Sequence, residues 1–225
     1  MKLVYPEIQT VFQFGQGNFP AVVIENPDLF YHFVDDLYRQ HNGDSGIAVL
    51  SENNIPIPIS DNLELVTNFF PFEINRKNLL AKISAKLEKA SLAPEFFERS
   101  QQILGSIENF ILDLAFQNDL DLEFPKLSMP GILKSTGICL KEDDLPLAEK
   151  ILTYMELMRT FGTISLFLFV NLRSVIDDET MEKFTVTCCT HEYNIMLIDN
   201  RECNKLSLEQ RTVIDIDFAN FNHNA

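Results

Sequence analysis

The run Ile164-Ser-Leu-Phe-Leu-Phe-Val170 is apolar on both alternating faces. A strand with one wet face alternates polar and apolar side chains. A run like this belongs at the centre of a sheet that is covered on two sides. It is also far too short to span a bilayer. The flanking sequence supplies the cover. Asp143-Asp144, with Pro146 in the first turn, caps a predicted helix that buries Ala148, Ile151, Leu152, Met155 and Met158 and ends at Gly162. Asp177-Asp-Glu-Thr180 caps the next helix, through Phe184 and Val186. Tyr193–Ile198 and Thr212–Phe218 read as two more strands, and the polar tail Asn220–Ala225 is expected to fray.

The first 72 residues carry the same alternation. Val11, Phe12 and Phe14 precede a turn at Gly15-Gln-Gly17-Asn-Phe-Pro20, and Ala21-Val-Val-Ile24 is a compact strand. Asn26-Pro27-Asp28 opens a helix on Leu29, Phe33 and Leu37 that runs to Gly43. Gly46–Leu50 is the next strand. Asn53-Asn54 is a turn, and Ile55, Ile57 and Ile59 alternate with prolines as an edge segment would. Leu63–Phe72 is predicted to be extended.

Between these halves the period changes. Lys77–Gln117 reads as two helices restarted at Pro94. Leu80, Ile83, Leu87 and Ala90 form one stripe, and Ile103, Leu104, Ile107, Phe110, Ile111 and Leu114 form another. A short helix starts at Met129-Pro130-Gly131 and ends by Gly137. The expected organisation is a discontinuous α/β head, residues 1–72 and 138–225, with a helical leg inserted at 73–137.

The chain has 225 residues, 46% of them hydrophobic, which is ample for one large core or a domain with an insertion. Its net charge of −15 disfavours binding nucleic acid or an anionic membrane through average charge. Local patches are another matter. Within residues 76–99, Arg76, Lys77, Lys82, Lys86, Lys89 and Arg99 outnumber Glu88, Glu95 and Glu98. Lys82, Lys86 and Lys89 are spaced i, i+4, i+7 along one helix face. The same spacing fits a solvated face or contact with duplex phosphates; no aromatics are interleaved for stacking on single strands.

The opposite charge gathers in Asn118-Asp-Leu-Asp-Leu-Glu-Phe124, just before Pro125. If extended, it points Asp119, Asp121 and Glu123 one way and Leu120, Leu122 and Phe124 the other. This pattern fits a solvated acidic edge or a site for a hard cation.

Enzyme signatures are sparse. No GxxxxGK[ST] occurs, Gly15-Gln-Gly17 reads as a plain turn, and the central strand ends in Asn171 where a Walker-B strand would end in an acid. His32, His41, His191 and His223 have no zinc spacing, and Cys139, Cys188, Cys189 and Cys203 form no CxxC pair. With no secretory signal after Met1, the expected setting is cytoplasmic, with free thiols and no membrane.

Several segments together resemble the Csn-two family of type II-A CRISPR-associated proteins. They are Leu65-Val-Thr-Asn-Phe-Phe-Pro-Phe72 with Asn75, Asn118–Phe124, Gly131-Ile-Leu-Lys-Ser-Thr-Gly137, and Phe169-Val-Asn171 with Glu179 and Phe184. The resemblance implies a P-loop-like head without a nucleotide site, a helical leg, and a homotetrameric ring that holds ends of double-stranded DNA without catalysis. It implies support from calcium (Ca2+) and a role in spacer acquisition beside the CRISPR integrase subunits and the effector nuclease. The family's acidic calcium positions fall on Asp119, Asp121 and Glu123. Pro125 and Lys126 stand where members can carry further acids. Lys82 falls on a basic position of the family; Lys86 and Lys89 extend that stripe, with Lys77 and Lys134 as further DNA-contact candidates. Two other readings compete: a nucleotide-dependent switch on the same fold, and a protein-only adaptor.

Overall fold

The structure, a computed structural model, describes residues 1–141, 144–216 and, for the backbone, 220–222. The expected cap Asp143, the strand end Phe218 and His223 lie outside the described residues. The chain divides into two compact units, Met1–Phe72 with Asp144–Ala225, and Glu73–Asp143.

In the first unit, β1 (Lys2–Tyr5) and β2 (Thr10–Gln13) precede β3 (Phe19–Ile24) and α1 (Pro27–His41). Then come β4 (Val49–Glu52), β5 (Ile55–Ile57), the single turn α2 (Ile59–Asn62) and β6 (Leu63–Val66). The helices of the second unit are α3 (Lys77–Ser91), α4 (Pro94–Gln117) and α5 (Met129–Ser135). The first unit resumes with α6 (Leu147–Phe161), β7 (Leu166–Val170), α7 (Asp178–Thr190), β8 (Asn194–Asp199), β9 (Glu209–Ile214) and β10 (Asn220–Asn222). The residues expected to fray therefore include a strand, β10, paired antiparallel with β9.

The main sheet has the order β10-β9-β3-β8-β7-β6, with β9 to β6 mutually parallel. As the run Ile164–Val170 requires, β7 lies inside the sheet and all five of its residues are buried. One face presents Val22, Ile24, Leu166, Leu168, Met196 and Ile198. It packs on Leu29, Phe33 and Leu37 of α1 and on Leu3, Tyr5 and Leu50 of a small antiparallel sheet, order β2-β1-β4-β5. Tyr5 meets Phe33 edge-on at 4.8 Å. The other face carries α6 and α7: Phe169 meets Phe184 at 5.7 Å, and the Tyr154 hydroxyl donates to the buried Glu64 at 2.7 Å. The head is a doubly wound α/β layer with a β-sheet on part of one face.

Three local expectations change. The strand at Gly46–Leu50 begins only at Val49, because the amides of Ile47 and Ala48 donate to the Asp36 carboxylate (3.0 and 3.1 Å) and leave the ladder. A Cβ on Gly46 would collide with the Asp36 and Gln40 side chains and displace them from this arrangement. β6 stops at Val66, and Thr67–Phe72 is a loop rather than an extension of the strand. The helical unit runs on to Asp143 rather than ending at residue 137. There Asn75 holds Leu140 from both sides, its Nδ2 donating to the carbonyl (2.9 Å) and its Oδ1 accepting from the amide (2.7 Å).

Candidate nucleic-acid interface

Helix α3 begins at Lys77 and presents Leu79 and Ile83 inward. At about 100° per residue, Lys82, Lys86 and Lys89 fall within an arc of about 60° beside that buried edge. Lys86 and Lys89 are exposed and Lys82 is half-buried. Lys77 is exposed in the first turn, on a different side of the helix. Lys134 is exposed in the last turn of α5, which packs along α3. The three stripe lysines thus share a face. Lys134 is on a neighbouring helix of the same unit, and Lys77 stands apart from the stripe.

The acidic run does not form the alternating strand expected of it. Asn118 caps α4, and Asp119 takes a left-handed conformation (φ 51°). The Leu120 amide donates back to the Ala115 carbonyl at 2.9 Å, and the Asp119 amide to that of Phe116. This is a Schellman helix end, and Asp119 occupies the position usually held by glycine. The following residues lack regular structure, and Asp121 and Glu123 are exposed, as are Leu120 and Leu122. A calcium cage needs about 6–8 oxygens around one point. Among the described residues no cluster of three or more acids, histidines or cysteines converges to supply such a cage. Asp119, Asp121 and Glu123 therefore do not, as placed in one chain, make a complete cation site. The run also joins α4 to α5 inside the helical unit, well short of its end at Asp143.

A nucleotide would be held where a parallel strand meets the N-terminus of the next helix. That place is the β3–α1 junction, Ile24-Glu-Asn-Pro-Asp28. Asn26 Oδ1 already accepts the Leu29 amide (3.0 Å), Pro27 has no amide to offer, and Glu25 and Asp28 add negative charge. A phosphate meets repulsion there. Gly15 and Gly17 lie before β3, at the opposite end of the strand from that junction. Asn171 is left-handed (φ 55°), with its Oδ1 accepting the Asn200 amide at 3.1 Å, so it serves the chain turn after β7.

Among the cysteines and histidines, Cys139, His32 and His191 are exposed and Cys188 is buried. Burial pushes the Cys188 thiol far up and the Cys189 thiol up as well. His41 Nδ1 lies 3.0 Å from the Leu63 carbonyl, and His191 caps the end of α7. No described helix is long and apolar enough to cross a membrane.

One cluster had no signal in the sequence. Arg173, Asp199, Glu209 and Arg211 are all buried. Glu209 receives Arg211 Nε (2.6 Å) and Nη2 (3.1 Å), the Leu206 amide (2.9 Å) and an ion pair from Arg173 Nη2 (2.8 Å). Burial pushes the Glu209 carboxyl up, but these partners outweigh it and hold it below its ordinary value. Asp199 fares differently. Arg173 Nε is 3.2 Å from its Oδ2, but the two are not aligned as a hydrogen bond. Burial therefore wins over Arg173, and with the repulsion of Glu209 it raises Asp199 to about 6. The four residues come from three separate segments with no common spacing, so only folding reveals them.

The fold and these placements define a class: a doubly wound α/β head with its phosphate-binding junction blocked, carrying a helical insertion with a lysine stripe. The family profile described as CRISPR-associated protein (Cas_Csn2) matches residues 40–218, and the chain belongs to that family. It is 20% identical over 203 residues to a CRISPR-associated protein Csn2 of Streptococcus agalactiae, covering 90% of each chain. A putative ABC transporter (ATP-binding protein) from Pyrococcus furiosus superposes with a TM-score of 0.39 and 10% identity, over 90% of this chain and 86% of that one.

Proposed function

We propose that this CRISPR-associated protein is a non-enzymatic subunit that closes into a homotetrameric ring around ends of double-stranded DNA during spacer acquisition. The observation that carries the reading is the lysine stripe on α3, a local positive face on a chain of net charge −15. Lysine amines contact backbone phosphates as point charges, so binding is independent of sequence and falls steeply with salt. The acidic remainder repels DNA elsewhere and restricts it to that face.

Self-assembly is supported by α4. Phe110, Leu112, Leu114 and Phe116 are exposed, Phe116 to 86%. A run of large apolar side chains left uncovered on one helix marks an interaction surface. Calcium, in this reading, acts at the level of the assembly: Asp119, Asp121 and Glu123 supply part of a donor set that association of copies completes. The integrase subunits and the effector nuclease are the partners that the reading implies. The blocked β3–α1 junction weighs against a nucleotide-dependent switch, and isothermal calorimetry with Mg-ATP tests this directly, any saturable heat restoring it.

Mobility shift of linear against closed circular duplex is the central experiment. Linear DNA is expected to be retained more strongly than circular; equal retention would remove end-threading. No binding to either form would favour a protein-only adaptor.

A further inference from the structure

Helix α1 has a second stripe that the core uses only in part, through the half-buried Val34 at its edge. Leu29, Phe33 and Leu37 face inward, whereas Tyr31, Val34, Asp35 and Tyr38 follow the i, i+3, i+4, i+7 spacing of a separate face. Tyr31 is 63% exposed and Tyr38 is 53% exposed. With Phe30 and Thr67, the latter from the loop after β6, they line a dent of about 280 Å³ whose walls are almost wholly apolar. Among the described residues, Asp35 on the rim has no hydrogen-bond or ion-pair partner. Its neighbour Asp36, in contrast, is occupied by Gln40 and the amides of Ile47 and Ala48.

Such a dent is smaller than the cavities that enclose drug-sized ligands and suits one long side chain. Apolar walls fit a methylene stem. Two tyrosine rings and an unpaired carboxylate at the mouth fit a cation at its end. The head already makes one contact of this kind internally, with the Arg159 guanidinium 4.1 Å from the centre of the Tyr193 ring. Asp28, one turn before Tyr31 and exposed, adds negative charge on the same side. Exposed tyrosines around a small pocket are typical anchors of a protein interface. A second copy is a poor occupant, because each copy carries −15 and the mouth is acidic. The acids also disfavour a nucleic acid here.

We propose that the Tyr31–Val34–Asp35–Tyr38 face of α1 is a docking site for a basic segment of another protein, which places an arginine or lysine side chain in the dent. The site is separate from the lysine stripe and does not depend on the DNA reading.

The probe is a fluorescein-labelled amphipathic peptide of repeated Leu-Arg-Ala-Leu units, with a second peptide in which citrulline, a neutral isostere, replaces every arginine. Anisotropy with the full chain is expected to show at least tenfold tighter binding of the arginine peptide. Asp35→Asn and Tyr38→Ala should each weaken it at least fivefold, whereas Glu149→Gln, an exposed acid on α6, should leave it unchanged. Far-UV circular dichroism melts confirm that each variant is folded, and duplex retention is expected to be the same in all of them. Equal affinity for the two peptides overturns the proposal, as does an Asp35→Asn variant that binds like the parent. A change in sedimentation distribution with no change in peptide affinity also overturns it, since the face would then join copies of this chain.

Discussion

Asp199 shows how a single buried group sets a pH dependence. Its folded-state value, about 6, lies above the ordinary 3.8, so between these values the folded chain holds a proton that the unfolded chain has released. Stability from this group is therefore present below about pH 4 and is lost as pH rises through about 6, by an amount on the order of 3 kcal/mol. Glu209 works in the opposite sense: its contribution is present above its ordinary 4.5 and is lost on acidification. Urea denaturation of the parent and Asp199→Asn across pH 4–8 should show the parent losing ground up to about pH 6 and a constant difference beyond it. A difference that is flat from pH 4 would contradict the assignment. Phe33 is a simpler case. It is fully buried and stacked edge-on against Tyr5, so Phe33→Ala should cost about 3–5 kcal/mol in the same assay, by cavity formation and removal of the ring pair.

At the scale of elements, Asn75 links the start of the helical unit to its far boundary. Its clamp on Leu140 explains why that unit extends past residue 137. Asn75→Ala removes both bonds, and hydrogen exchange at the Leu140 amide should quicken by at least tenfold while α1 amides are unchanged. The helix starts at Asn26 and Asp177 are legible in sequence because a side-chain cap is a local event: each oxygen accepts an amide three residues on. Asp119 departs from its sequence pattern for a related reason. Alternation of acid and apolar residues predicts a strand, but a helix of 24 residues ends there, and its unsatisfied carbonyls draw the next amides back. The stripe on α4 departs as well. Its 3.6 period predicts a buried face, yet Phe110 and Leu114 stay exposed. Periodicity reports that a face is apolar, and what covers that face is decided elsewhere.

For the whole molecule, charge is the discriminating quantity. Lys82→Glu, Lys86→Glu and Lys89→Glu together should abolish duplex retention at moderate salt. Single changes should reduce the slope of log affinity against log salt by roughly one for each phosphate no longer neutralised. Retention unchanged in the triple variant would remove α3 from the interface. Mass photometry of the chain with calcium and with chelator should show a larger tetramer fraction with the cation; identical distributions would detach calcium from assembly.

The sequence by itself determined the α/β alternation, the internal position of β7, the helical insertion, the lysine stripe and the family. Each of these is written in local periods, in caps or in residues matched in order, and needs no knowledge of distant partners. Only the tertiary structure decided that Asp36 would take two amides from the strand that follows and that Asn75 would extend the helical unit. It also decided that Arg173, Asp199, Glu209 and Arg211 would meet in the core, and that Tyr31, Asp35 and Tyr38 would be left facing out beside Thr67. These depend on which side chains converge from separate segments, and convergence is a property of packing that no single stretch of chain encodes.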